Sequence, residues 1–318
     1  MINDYMQHTL NGQLHFVGRG LHSGKAVRMT LAPAEAFTGY VFERADVAPP
    51  HNTVLARWST VSDTRLSTTV SNRVGVSVST IEHLVAALHA SGVDNCRILL
   101  DGPEVPVMDG SAKVFVEQIN SIGLRPLKAE RMAIVVTDSI WVQEDNAKVG
   151  LLPFPAPWVD MSIEFESEAI GEQSVCMPIT AEHFKESVCG ARTFGFMEQA
   201  TTLRSLGLAQ GGSLQNTLLV ENNRVLNEGG LRYDDEFVRH KAVDAIGDLA
   251  LLGVHIVGCF VGRRSGHRLN NQLLRRLMVE SENWYYTTLQ DATEYWDDIM
   301  RDPQRPAKTK GARCSLAE

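Results

Sequence analysis

The sequence predicts an α+β protein of two similar domains, each a β-sheet layered against helices. Three observations support this. A chain of 318 residues suits two domains of about 150 residues better than one. With 44% hydrophobic and 21% charged residues it has the ordinary globular balance and can bury a sizeable core. Both halves also read as strands, a helix, a strand and a helix. The expected division is an N-terminal α+β domain over 1–126 and a C-terminal α+β domain over 131–296. The second carries an insert at about 193–220, and a flexible polar tail follows over 297–318. The two halves do not match in register, so no sequence repeat is claimed.

In chain order, the first 75 residues alternate as strands do, in "AVRMTL" and "GYVFER", with turns at "LHSGK" and "ERADVAPP". "VSVSTIEHLVAALHASG" passes from strand to helix, with Ile81, Leu84, Val85 and Leu88 at helical spacing and a stop near Gly92. "CRILLDG" reads as a buried strand, "SAKVFVEQINSIG" as an amphipathic helix and "LRPLKAER" as a basic linker. Strands "MAIVVTDSIWVQ", "KVGLLPF" and "VDMSIEFES" open the second half. Residues 193–220 are rich in Gly, Ser and Thr around a short helical pattern, which predicts the insert. A long helix follows over about 235–252, then strand "HIVGCFVG" and helix "LNNQLLRRLMVESENWYY". The segment "RPAKTKGARC" is expected to be disordered.

The bulk numbers exclude some functions. A net charge of −8 argues against a nucleic-acid binder that works by general phosphate neutralisation. Five cysteines without a CxxC pair fit a reduced compartment better than a disulfide framework. "MINDYMQHTLNGQLHF" has neither the basic start nor the apolar stretch of a signal peptide, and "ALLGVHIVGCFVG" is too short to span a bilayer. The expectation is a cytoplasmic monomer without a transmembrane segment, making at most peripheral membrane contact.

Chemistry is suggested first by "HKAVDAIGD". His240, Asp244 and Asp248 recur at four-residue intervals, so they stack on one helical face. Buried imidazole and carboxylates are costly in a core but useful around a metal. His83 can supply a third donor from the other domain, with neighbouring Glu82 as general base. There is a plainer reading, in which Ser79 and Glu82 form a capping box and Asp244 and Asp248 line a solvated face. His89 and His255 are rival ligands, disfavoured because each lies in an apolar run with no acid nearby. His267, in a strand-to-helix loop, is either an acid oriented by Asp248 or an exposed histidine beside arginines. In "ARTFGF", Thr193 is placed to donate to an oxyanion, with Phe194 and Phe196 as an apolar wall or as ordinary core. "GGSLQN" lacks the glycine spacing and lysine of a P-loop.

Together, "STIEHLVAAL", "GPEVPVMDGSA", "ARTFGFM", "LNEGGLRYDDEFVRHKAVDAIGDLALLG" and "SGHRLNNQLL" resemble the UDP-3-O-acyl-N-acetylglucosamine deacetylases of lipid A biosynthesis. "VGRGLHSGKAV" and "SDTRLSTTV" extend the resemblance, which runs over about residues 7–288 in the same order. It implies two α+β domains facing each other with the active site in the cleft between them. It also implies a UDP-linked acylated glucosamine as substrate and Zn²⁺ as cofactor, with Fe²⁺ as the alternative. By the same resemblance His83, His240 and Asp244 would ligate the metal, Glu82 would be the general base and His267 the general acid. Asp248 would support His267, and Thr193 would lie near the substrate carbonyl. Lys241 and His22 would contact substrate, Phe194 and Gly212 would border an acyl passage, and Phe165 would stack on uracil.

Three positions depart from the family pattern. Gly190 stands where a bulkier residue is usual, Ser67 where many members have cysteine, and Arg268 where a small residue is usual. Arg268 is expected to lower the pKa of His267, since a like charge disfavours the imidazolium. Arg268, Gly190 and the tail keep open a UDP-sugar or lipid-binding paralogue without turnover, and a further alternative is a deacetylase of another N-acyl sugar.

Overall fold

In the computed structural model, which describes residues 5–301, the two largest sheets are joined through a pair of packed helices. The first sheet has five strands in the order Leu14–Arg19, Ala26–Pro33, Cys96–Leu100, Tyr40–Arg44, Thr53–Leu55. Its inward positions alternate with outward ones, as in Phe16, Met29, Leu31, Phe42 and Ile98. Helix α1 (Glu82–Ala90) is buried on nearly every side, whereas α2 (Lys113–Ile122) buries only the stripe Phe115, Val116, Ile119. The Phe115 ring meets Phe16 of the sheet edge-on, with centroids 5.2 Å apart.

The second sheet has seven strands centred on His255–Arg263. That strand pairs in parallel with Met132–Val136 and Pro157–Glu164 and antiparallel with Ala147–Leu152. Ile140–Glu144, Glu172–Pro178 and Trp284–Thr288 complete it. Helix α3 (Ala181–Ser187) precedes the insert, in which α4 (Met197–Ser205) stands beside a small three-stranded sheet of Phe194–Phe196, Leu218–Glu221 and Arg224–Val225. Helix α5 (Glu236–Ala250) packs on Pro157–Glu164 and Glu172–Pro178, and α6 (His267–Val279) on Ile140–Glu144 and Ala147–Leu152. Helix α7 (Leu289–Arg301) packs against Met132–Val136 and Trp284–Thr288. The strand Met132–Val136 is therefore buried on both faces, with Ile134 and Val136 in the main core and Ala133 and Val135 toward α7. This accounts for its unbroken apolar run.

Several expectations are corrected here. "LRPLKAER" is not a linker. Leu124–Glu130 is a strand, antiparallel to Met6–Leu10 from the start of the chain, and a partner more than a hundred residues away leaves no local trace. The last predicted helix ends at Val279, and "WYYTT" is a strand paired with Met132–Val136. Its aromatic and threonine content favours a pleated surface over a helix. The tail does not begin at 297, because α7 runs on to Arg301. The segment "RPAKTKGARC" lies outside the described residues. No helix among the described residues is long and apolar enough to cross a membrane.

Candidate metal centre and its proton carriers

Helices α1 and α5 belong to different layers yet pack directly on each other. Gly247 allows this: a Cβ on it would collide with the backbone carbonyl of Glu82. The close approach brings the first turn of α1 beside the middle of α5. Glu82 and His83 therefore meet His240, Asp244 and Asp248, all of them at most 4% exposed. The capping-box reading fails, since Ile81 is the N-cap residue and the Ser79 hydroxyl donates to the Pro103 carbonyl. The Glu82 carboxylate is left to accept the Thr68 backbone N–H at 3.0 Å. The solvated-face reading of Asp244 and Asp248 fails on their burial.

One ligand atom from each of His83, His240 and Asp244 lies within 4.8 Å of the other two. Asp244 Oδ1 is 3.4 Å from His83 Nε2 and 3.4 Å from His240 Nε2. Around a tetrahedral ion with bonds of roughly 2.0–2.1 Å, neighbouring donors stand about 3.3 Å apart, so the two separations from Asp244 suit such an ion. His240 Nδ1 sits 3.1 Å from the Ala191 carbonyl, which can only accept, so Nδ1 carries the proton and Nε2 keeps its lone pair. Burial pushes His240 down to about 4, which keeps that imidazole neutral. Lys241 Nζ donates to Asp244 Oδ2 at 2.7 Å and leaves Oδ1 for the shared space. Burial opposes the charge on Asp244, yet Lys241 and His240 hold its carboxyl well below the usual range.

His267 opens α6 with its Nε2 4.0 Å from Glu82 Oε1, and its Nδ1 is 2.8 Å from Asp248 Oδ2. It is buried, so the exposed-loop reading fails. Burial disfavours its imidazolium, but Asp248 first, then Glu82 and Asp244, outweigh that and lift it to about 9. Arg268, expected to lower it, is not among the leading influences on it, and its guanidinium turns to Glu144 Oε1 at 2.6 Å. Glu82 is itself pushed up, by burial above all.

Three residues just ahead of this machinery, Leu66, Thr80 and Arg264, have left-handed backbones with φ of 65°, 56° and 53°. Each such non-glycine conformation costs on the order of 1–3 kcal/mol, and it persists where surrounding bonds enforce it. Glu104, buried and given no role of its own by the sequence, is one of the enforcers. Its carboxylate accepts the Thr80 hydroxyl at 3.1 Å and the backbone N–H groups of His22 at 2.7 Å and Ser23 at 2.8 Å. It thus locks the "GLHSG" loop to the turn that starts α1. Burial lowers the pKa of the His22 imidazole, Glu104 opposes that and the charge of His267 adds to it, and its Nε2 is buried and unbonded among the described residues.

The remaining expected residues lie farther out. Thr193 follows the carbonyl that orients His240, held by backbone bonds to Gly110 and Leu218. The Phe194 ring lies 6.2 Å from that of His240 and 5.0 Å from that of Phe237. Phe165 packs on Phe194 and Phe196. Gly212 lies apart from this aromatic cluster, beside a cavity of about 720 Å³ where the neighbouring Gln210 and Gly211 bond to the backbone of the "GLHSG" loop. The rivals His89 and His255 are not in the centre. They stack on each other, and His255 does have an acid nearby, Asp94, at 3.2 Å. Thr68 and Asn270 were also missed, although Asn270 sits one turn beyond His267 and donates to Asp248 at 2.9 Å.

Residues 7–279 match the sequence profile of the UDP-3-O-acyl N-acetylglycosamine deacetylases. The chain belongs to this family. Among its relatives, the UDP-3-O-acyl-N-acetylglucosamine deacetylase of Phenylobacterium zucineum is 44% identical over 282 residues, covering 89% of this chain and 96% of that protein. The one from Legionella pneumophila is 44% identical over 283 residues, covering 88% and 92%. The one from Pasteurella multocida is 42% identical over 287 residues, covering 90% and 94%. Within the deacetylase family frame, Gly190 has a local reason: a Cβ there would fall 2.7 Å from the Tyr233 hydroxyl, so Tyr233 occupies the space of a larger side chain. Ser67 is buried beside Thr68.

Proposed function

We propose that this chain hydrolyses the N-acetyl group of UDP-3-O-(3-hydroxyacyl)-N-acetylglucosamine, releasing acetate, at a divalent cation held by His83, His240 and Asp244. The deacetylation itself, a step of lipid A biosynthesis, is the family's activity. The assignment to these residues is supported by one juxtaposition: three converging donors beside a carboxylate and an imidazole 4.0 Å apart. The cation, when bound, supplies Lewis-acid polarisation of the amide carbonyl and makes water more acidic. Two nitrogens and one carboxylate suit Zn²⁺, with Fe²⁺ as the other candidate.

The chain's own groups divide the proton work. Glu82 takes the proton of the attacking water. The Thr193 hydroxyl donates to the developing oxyanion. His267, kept charged by Asp248, gives its proton to the departing glucosamine nitrogen, because an amine anion is too poor a leaving group to depart unprotonated. Lys241 reaches toward substrate from the turn that holds Asp244. Phe194, Gly212, His22 and Phe165 border the substrate. The enzyme works as a cytoplasmic monomer. Two grounds for the non-catalytic alternative weaken, since Arg268 is paired away from the site and Gly190 is matched by Tyr233.

The test is acetate release from the acylated UDP-sugar by metal-free protein reloaded with Zn²⁺ or Fe²⁺. Activity should return with metal and fall about 10²- to 10⁴-fold in Glu82→Ala. Full activity of Glu82→Ala with metal bound would refute the assignment.

A further inference from the structure

We propose that Thr68 is a positioning residue that holds the base and the acid-supporting carboxylate in one fixed relation. The inference rests on the assignment of Glu82 and His267 given above. Thr68 is 2% exposed and touches the site with all three of its polar groups. Its backbone N–H donates to Glu82 Oε2 at 3.0 Å. Its carbonyl accepts the N–H of Ile81, the residue that starts α1, at 3.4 Å. Its hydroxyl donates to Asp248 Oδ1 at 2.6 Å. A single residue from the loop after Leu66 thereby joins the first turn of α1 to the last turn of α5.

Asp248 makes the consequence specific. Its Oδ2 serves His267 Nδ1 at 2.8 Å and Asn270 Nδ2 at 2.9 Å, whereas Thr68 provides the only hydrogen bond to Oδ1 among the described residues. Without the hydroxyl, a buried carboxylate oxygen has no donor, and such an oxygen recruits another by rotating. Rotation about the Asp248 side chain moves Oδ2, and with it the imidazole that must meet the leaving nitrogen. Hydrogen bonds to an ionised acceptor are among the stronger ones, and groups one step removed from a metal site commonly orient those that act there. Thr68 has no hydrogen bond to His83, His240 or Asp244 among the described residues. Its loss should therefore change the rate and leave the metal in place.

The experiment compares Thr68→Val, Thr68→Cys and Thr68→Ser in the zinc-loaded enzyme, with Glu82→Ala and His267→Ala alongside. Valine keeps the shape and the backbone bonds but lacks the donor. We expect kcat to fall about 10- to 100-fold in Thr68→Val, the range seen when such outer partners of metal sites are removed. KM and bound zinc per chain should stay at wild-type values. Serine should restore most of kcat, and cysteine, a weaker donor, should fall between serine and valine. The downfield ring-proton resonance of His267 should move in Thr68→Val and return in Thr68→Ser. A wild-type kcat in Thr68→Val, or a loss of kcat that tracks loss of zinc, overturns the proposal. If the valine variant does not fold, Thr68→Cys decides: kcat equal to Thr68→Ser overturns it, and a kcat below that of Thr68→Ser with zinc retained supports it. Should Glu82→Ala and His267→Ala keep full activity, it is the assignment of the proton carriers that fails.

Discussion

The charge on His267 is set by a contest between burial and Asp248, and the contest has measurable consequences at the scale of that one residue. Burial alone would strip the proton, but Asp248 at 2.8 Å and the acids behind it lift the imidazole from 6.5 to about 9. The alkaline limb of the kcat/KM profile is therefore expected to report loss of that proton, and Asp248→Asn should move the limb to lower pH. An unmoved limb in Asp248→Asn would assign it to another group. Stability follows the same linkage. A group whose folded pKa lies above its unfolded value stabilises fully below the unfolded value, and loses that contribution as pH rises through the folded one. The stability gap between wild type and His267→Gln, both metal-free, should thus be widest below about pH 6.5 and close toward pH 9 in urea titrations. A gap that widens with pH would contradict the pairing.

At the scale of elements, the α1–α5 contact decides the geometry of the centre, and Gly247 decides the contact. Glycine in a helix is normally about 1 kcal/mol worse than alanine, so Gly247→Ala should stabilise α5 taken alone. Here the added methyl meets the Glu82 carbonyl, and the helices must separate. The expected net result is destabilisation of about 1–3 kcal/mol in denaturant unfolding. Zinc affinity should fall with it, because His83 moves away from His240 and Asp244. A more stable variant with unchanged zinc affinity would show that α1 can shift without cost. The sequence allowed part of this to be read. The four-residue spacing of His240, Asp244 and Asp248 showed one face of one helix, and "EHL" supplied plausible partners. It could not show that Gly247 is the point of approach, since an isolated helical glycine carries no label for what lies opposite. Thr68 and Glu104 were illegible for a related reason. They act through carboxylate and backbone bonds across turns whose left-handed residues, Leu66 and Thr80, are not types that advertise such a backbone.

At the scale of the whole molecule, the centre exists only while both layers stay together, because α1 and α5 belong to different sheets. The joint is fastened at the end remote from the metal donors. Beyond the end of α1, Asp94 accepts both the His8 backbone N–H at 2.7 Å and Arg131 Nε at 3.0 Å. Beyond the end of α5, His255 reaches the same carboxylate at 3.2 Å. One acid thus ties the first strand, the crossing between the sheets and the central strand of the second sheet. The sequence masked this, since Arg131 read as part of a linker and His255 as a histidine without an acid. Burial opposes the charge on Asp94, but His255 and Arg131 outweigh it and hold its carboxyl below the usual 3.8. A lowered folded pKa stabilises above the unfolded value and is lost as pH falls through the folded one. Asp94→Asn keeps the size and an acceptor but leaves Arg131, whose side chain is 9% exposed, facing a neutral amide. Removing one partner of a buried pair costs about 3–5 kcal/mol, and the lower end applies here because the pair is not fully sealed. Urea unfolding at pH 7 should show that loss, and the loss should shrink in strong acid, where the wild type has also lost the charge. The midpoint of thermal inactivation should fall together with the unfolding midpoint, while kcat at low temperature stays near wild type, because no proton carrier touches Asp94. A stability change below about 1 kcal/mol would reduce the Asp94 network to the rank of an exposed ion pair and leave the α1–α5 packing alone to hold the layers together.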